Sequence, residues 1–492
     1  MFIQSLAKEA NVAYTENGAV TKASTLDAVL DLFAIGGSAR KLPASEVERL
    51  VLRAYNTNKE LALRTIFLIG DVRGGLGERK FFKTAMKILA DYDKDVLAKV
   101  VKLVPEYTRW DNLYTLVGTK LESAVADIFR TEHIKCVESG KPSLMYKWLK
   151  STNTSSKESV ALGHWTAKTL GFKSTFVGTL AYQKMLSEAR AALGDAVVER
   201  RMSKNDWDAV NYESVCSKAL LRYSKAFKEH SPKAWEDYLG AVTKGEKKIN
   251  VSVTFPHEIY HAIIDGNADM ELAWKQFPCK IKEGERFIPV VDTSWSMSSS
   301  VDGKSSISVA EVARALGVYC SERLDGEFKD KVITFSRTAK FIDLSKCATI
   351  AEKEYEFERH QVAENTNIQS VFDLILGTAQ KYNIPVDEMP TKILILSDME
   401  FDSGADRLTN LDVIRAKYAQ AGYPMPYIIY WNLQARSTQF PADKDDKGIA
   451  LVSGYSPALF ETVLSGEIVT PLDLMMKAIM KPRYDAISEC LK

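Results

Sequence analysis

From Leu26 to about Phe277 the apolar positions return every three or four residues, the spacing of helices that bury one face. The pattern predicts helices over Leu26–Phe33, Ala44–Tyr55, Leu61–Ile69, Phe81–Leu89, Val96–Val104 and Leu113–Leu116, joined by short polar connections. Helices of this length with brief loops stack as antiparallel pairs, so this half reads as an α-solenoid. A repeat of fixed period is missing, and irregular HEAT-like pairs fit better than a regular array. The segment before the first helix, with Tyr14 to Gly18, reads as a loop.

After Glu283 the period switches to short apolar runs separated by amphipathic stretches. Strands are predicted over Arg286–Val291, Lys331–Ser336, Ala339–Leu344, Thr391–Ser397, Pro426–Trp431 and Ala450–Ser453. Helices are predicted over Ser308–Leu324, Ile368–Tyr382, Asp406–Gln420 and Pro457–Leu464, with a last one over Leu472–Leu491 that Pro482 interrupts. Strands alternating with helices predict a doubly wound, mostly parallel sheet. The chain is therefore expected to hold a helical-repeat domain over residues 1–283 and an α/β domain over residues 284–492.

The first strand of that second half leads into the chemistry. The run Phe287 to Val291 stops at Asp292, and Ser294 and Ser296 follow at two-residue intervals. A buried strand would deliver this carboxylate and two hydroxyls to its C-terminal edge, where open α/β sheets place their ligands. Oxygen donors alone suit a hard cation such as Mg²⁺ or Mn²⁺. An isolated Asp-x-Ser-x-Ser is also what a Ser-rich turn after a strand looks like. Two later features extend it: Thr366 precedes an amphipathic helix, and Asp398 ends the apolar run Lys392 to Ser397.

Charge divides the chain as the periodicity does. Residues 1–250 carry 39 Lys and Arg against 29 Asp and Glu, and residues 251–492 carry 26 against 35, within an overall +1. A basic half joined to an acidic half points to two tasks, with a polyanion as the partner of the first. The segment 131–250 is richest in cations, 20 against 13 acids, with Tyr146, Trp148, His164, Trp165, Phe172, Phe176 and Tyr182 interleaved. Cations that track a backbone and rings that stack on bases are the means of single-stranded RNA binding. Lysines decorating the outside of helices whose aromatics fill a core would read the same way. The candidate RNA contacts are Arg73, Arg79, Lys147, Lys150, Lys168, Lys173, Arg200 and Arg201. Of these, Arg73 and Arg79 flank a glycine-permitted turn at a helix start, within reach of a phosphate.

His257-Glu258-Ile-Tyr-His261 matches H-E-x-x-H, which on a helix sets two imidazoles on one face with a carboxylate between them, as zinc hydrolases need. A third ligand is not evident beyond Asp269 or Glu271. Six scattered cysteines without a C-x-x-C pair read as reduced thiols. No apolar run has the length of a membrane span and the N-terminus lacks a signal-peptide pattern, so a cytoplasmic location is expected.

Asp292, Ser294, Ser296, Thr366 and Asp398, in this order, form the full metal-ion-dependent adhesion site (MIDAS) of the von Willebrand A (vWA) family, which the second half resembles. The first half and its junction carry Arg73 to Arg79 (RGGLGER), Pro105 to Leu113 (PEYTRWDNL), Lys147 to Ser151 (KWLKS), Tyr182 to Leu193 (YQKMLSEARAAL) and Lys248 to Ile259 (KINVSVTFPHEI). The second carries Asn365 to Leu376, Ile393 to Asp402, Tyr430 to Leu433 and Leu451 to Leu459. Together these resemble the TROVE-plus-vWA proteins of the Ro autoantigen superfamily, most closely a large, mostly uncharacterised TROVE-like branch. The resemblance implies a helical-repeat ring closed by a vWA domain, and a non-enzymatic protein that binds misfolded or small structured non-coding RNA. It also implies a divalent cation, Mg²⁺ before Mn²⁺ or Ca²⁺, held by those five residues, with a partner's carboxylate completing the shell. In that branch F-P-H-E-I looks like a helix start at the domain junction, a structural reason for the histidine motif. The rival expectations are an assembly or adhesion scaffold using the same metal site and, more remotely, a zinc hydrolase.

Overall fold

The computed structural model describes residues 6, 8–194, 197–251, 254–303, 305–360, 365–404, 408–464 and 470–492. The first half is helical. Helices Ala28–Gly36, Ala44–Thr57, Lys59–Gly70 and Arg79–Tyr92 each pack on the next and on the next but one. Their caps follow from the sequence: Asp27, Asn58 and Glu78 each accept backbone N–H groups of the first turn, satisfying donors that a helix start leaves free. Glu122–Ser139, Lys157–Thr169 and Phe176–Ala192 continue the array, and Ser217–His230 pairs with Pro232–Thr243.

The turn between Lys59–Gly70 and Arg79–Tyr92 depends on its glycines. A Cβ on Gly75 would lie 2.0 Å from the Leu68 carbonyl oxygen, and Gly77 has φ +66°. The close approach allows Leu76 N–H to reach Leu68 O and Glu78 N–H to reach Ile69 O, so the two helices fold back tightly.

Before the first helix the chain is more than a loop. Strands β1 (Ala13–Tyr14) and β2 (Val20–Thr21) form a small antiparallel hairpin. In the second half the strands are β3 (Phe287–Asp292), β4 (Lys331–Phe335), β5 (Ala339–Asp343), β6 (Lys392–Ser397), β7 (Tyr427–Asn432) and β8 (Ile449–Ser453). They pair in the order β5-β4-β3-β6-β7-β8, all parallel except β5, which returns as a hairpin on β4. Every residue of β6 and β8 is buried, as expected of parallel strands covered on both faces. Chain order reverses between β3 and β6, which makes that gap the switch point of the sheet. Helix Val309–Glu322 packs across β3, β4 and β6, entered through a capping box between Ser308 and Glu311.

The helix expected from Asp406 runs from Asn410 to Ala421, and residues 405–407 lie outside the described ones. Pro482 divides the last helix into Pro471–Ile479 and Asp485–Leu491. The two parts pack differently. Both lie against Lys59–Gly70, but Pro471–Ile479 also reaches β8 and Ala28–Gly36, whereas Asp485–Leu491 also reaches Lys94–Val100. The helix Pro256–Ile264 likewise packs on Val309–Glu322 across the expected boundary.

Candidate functional site

Strand β3 ends in Asp292, fully buried, with an Oδ1 that accepts the Ser294 N–H at 2.9 Å. Two residues further on, the hydroxyls of Ser294 and Ser296 lie 3.0 Å apart. The neighbouring β6 ends in Ser397, whose hydroxyl donates to Asp292 Oδ2 at 2.5 Å, and is followed by Asp398. The two carboxylates therefore sit on adjacent strand ends at the switch point. Thr366 is buried on a segment that spans the same edge: Asn367 N–H donates to Ser336 O after β4, and Asp402 N–H donates to Thr366 O. All five residues singled out in the sequence thus lie at one end of the sheet.

The electrostatics of this end are unbalanced. Burial, more than any other cause, raises Asp292 above the usual carboxylate range. Burial and then the Asp292 charge push Asp398 up to about 6, opposed by the Ser296 hydroxyl, the Glu400 N–H and Arg436. Asp398 Oδ2 is buried without a hydrogen-bond partner among the described residues, its nearest cation being Arg436 Nη1 at 3.8 Å. An orphaned carboxylate oxygen among hydroxyls fits a hard divalent cation, because the ion would supply the missing partner and reverse the repulsion between the acids. The residues that would hold it are Asp292, Ser294, Ser296, Thr366 and Asp398.

Three further residues shape the site without having stood out in the sequence. Arg436, in the loop after β7, bonds Glu16 at 2.6 Å and so ties the pocket to the β1–β2 hairpin. Glu400 is buried and accepts from Glu16 N–H at 2.7 Å, Ser437 and Gln439. Met399 between the two acids has φ +69°, a left-handed turn that sends the chain sharply away after Asp398. Nothing in the sequence marked Arg436, which arrives only through the fold. Trp295, 73% exposed, stands beside the pocket.

The H-E-x-x-H residues lie on Pro256–Ile264 with separate commitments. Burial, with Arg40 and Lys218 adding to it, depresses His257 to about 3, and its ring stacks on Phe255. Glu258 caps its own helix at Phe255 N–H and bonds Lys218. His261 Nδ1 lies 2.7 Å from Glu311, which raises its pKa, and Nε2 lies 3.0 Å from Ser306. Asp269 pairs with Lys228 and accepts the Trp235 indole N–H, and Glu271 accepts the Ile350 N–H. No three His, Cys, Asp or Glu side chains converge as a metal site among the described residues. The pocket at Asp292 has two carboxylates, its other oxygens being hydroxyls.

The candidate RNA residues are spread over the helical half. Arg73 is exposed but donates to Glu106 O at 2.6 Å. Lys168, Lys173 and Arg200 are exposed, and half-buried Arg201 lies 3.3 Å from Asp206. Lys147 lies over the Trp148 ring at 6.0 Å and Lys150 over Tyr114 at 5.8 Å. Arg79 and Lys150 share a neighbourhood around Asp111. Trp110 packs on Phe129 in the core, and Trp165 donates to Glu122, so neither ring is a free platform. No helix among the described residues is long and apolar enough to cross a membrane.

Residues 15–111 and 174–300 match the model of a domain of unknown function, DUF2828, and residues 286–481 match that of another, DUF7788. The two matches overlap across β3, so both include Asp292, Ser294 and Ser296. The chain is also similar to the uncharacterized protein L728 of Acanthamoeba polyphaga mimivirus, at 24% identity over 96% of this chain and 87% of the relative.

Proposed function

We propose that this is a non-enzymatic RNA-binding protein of the TROVE-plus-vWA kind. Its helical half holds single-stranded or structured non-coding RNA in a ring through phosphates, and its sheet half holds Mg²⁺, or Mn²⁺ or Ca²⁺, and offers an open position to a partner's carboxylate. The observation that carries the metal site is the buried, unpartnered Oδ2 of Asp398 beside Asp292 at the switch point of the sheet. The strand order and the five oxygen side chains at one edge support the vWA reading. The stacked helices, together with 39 cations against 29 acids in residues 1–250, support the RNA reading.

Thermal melts with and without Mg²⁺ test the metal site. The wild-type protein is expected to melt higher with Mg²⁺, and Asp398→Asn to show no such shift while gaining stability in metal-free buffer. An Asp398→Asn protein that still responds to Mg²⁺ would sink the assignment. Filter binding tests the RNA reading: affinity should fall by roughly a thousandfold between low and near-physiological salt if several phosphates are contacted. A second reading, a protein-assembly scaffold built on the same metal site, is favoured by Trp295 standing exposed beside the pocket. Copurification of a stoichiometric protein in place of nucleic acid would select it.

A further inference from the structure

Helix Arg79–Tyr92 and the short helix Met145–Trp148 both pack on the 3₁₀ helix Trp110–Leu116 in the helical half. Arg79 and Lys83 are four residues apart on the first of these, where like charges face each other and repel. Arg109 and Lys150 come from the other two sides. Asp111 acts on all four, Glu78 adds to it at Arg79 but is paired with Arg40, and Asp111 is already held by Arg109 through Nε at 2.8 Å and through Nη2. Among the described residues neither Arg79 nor Lys83 has a hydrogen-bonded carboxylate, and the Lys150 ammonium meets only the Tyr114 ring. Partial desolvation lowers half-buried Lys83 and, although its side chain is exposed, Arg79; Arg109 adds to this in both and Asp111 opposes it.

The cluster is also preorganised. The Arg109 guanidinium lies 3.9 Å above Trp148 while Asp111 holds one edge, so its remaining N–H groups point in a set direction. The start of helix Arg79–Tyr92 does not supply the site, because Glu78 caps the N–H groups of Lys80 and Phe81 and pairs with Arg40. With Glu78 balanced by Arg40, four cations face one remaining acid, an excess of three positive charges. An internal phosphodiester brings one negative charge, whereas a terminal phosphomonoester brings nearly two at neutral pH and three acceptor oxygens.

We infer that Arg79, Lys83, Arg109 and Lys150 form a binding site for the terminal phosphate of an RNA strand. The inference rests on the RNA-binding reading and adds which part of the RNA this site takes.

Fluorescence anisotropy tests it with the full chain and one short single-stranded RNA carrying a 5′-phosphate, a 3′-phosphate or hydroxyls at both ends. One phosphorylated form is expected to bind about tenfold tighter than the hydroxyl form, and which one identifies the end. The Arg79→Gln/Lys83→Gln protein, its fold checked by circular dichroism, is expected to lose that preference, binding the phosphorylated and hydroxyl-ended forms with one affinity. Equal binding of all three forms would overturn the inference and leave the RNA reading standing, as would a preference surviving in the double variant. Displacement of the preference by inorganic phosphate at equal concentration would assign the site to free phosphate and overturn it too. Failure of every RNA to bind would remove both.

Discussion

His257 and His261, one helical turn apart, respond to protons in opposite senses. Burial depresses His257 to about 3, so the unfolded chain binds its proton more readily. Its contribution is complete above pH 6.5 and is lost as pH falls toward 3, by up to about 4 kcal/mol. His261 is raised by Glu311, so its contribution is present below pH 6.5 and is lost as pH rises through its folded value. Replacing His257→Leu should flatten the fall in stability between pH 6.5 and 4, measured by urea unfolding. His261→Gln should leave that limb in place and remove stability below pH 6.5. A wild-type profile unchanged by His257→Leu would show that this ring is not buried as described.

Helix Ala28–Gly36 reaches the sheet through backbone contact. Gly37 N–H donates to the Ser453 hydroxyl at 3.0 Å, and a Cβ on Gly37 would lie 2.6 Å from the Ser453 carbonyl oxygen. Its φ of −69° suits any residue, so the need for glycine is one of space. Gly37→Ala should cost about 1–3 kcal/mol by forcing the helix away from β8. A thermal shift of the Ala variant checks this, and an unchanged Tm would mean that the helix can retreat freely. At this level the sequence was most legible, because helix and strand periods are local properties. The β1–β2 hairpin was missed, since each strand is two residues long and is held by distant partners such as Phe401 O and Phe440 O.

The whole molecule is tied together by its C-terminus. Arg64, 3% exposed, bonds Ile479 O, Asp485 and Ser488, and Arg483 pairs with the fully buried Asp71, which Tyr484 also reaches at 3.1 Å. Arg483→Ala should cost about 3 kcal/mol, because it strands a buried carboxylate, and the added change Asp71→Asn should recover part of that loss. Chemical denaturation of both variants checks it. Equal stability of single and double variants would show that the pair does not carry the contact. With Pro256–Ile264 also packed on Val309–Glu322, unfolding is expected as one transition for both halves.

The mostly parallel sheet and the helical array were readable from residue order, and so was the placing of Asp292 and Asp398 at strand ends. Strand ends and helix periods depend on neighbours a few residues away, and a motif at a strand end needs only the next strand to meet it. The roles of Arg436, Glu16 and Glu400 around Asp398 came from folding alone, as did the meeting of Arg79, Lys83, Arg109 and Lys150 around Asp111. Charges far apart in the chain act on one another only once packing removes the water and the distance between them.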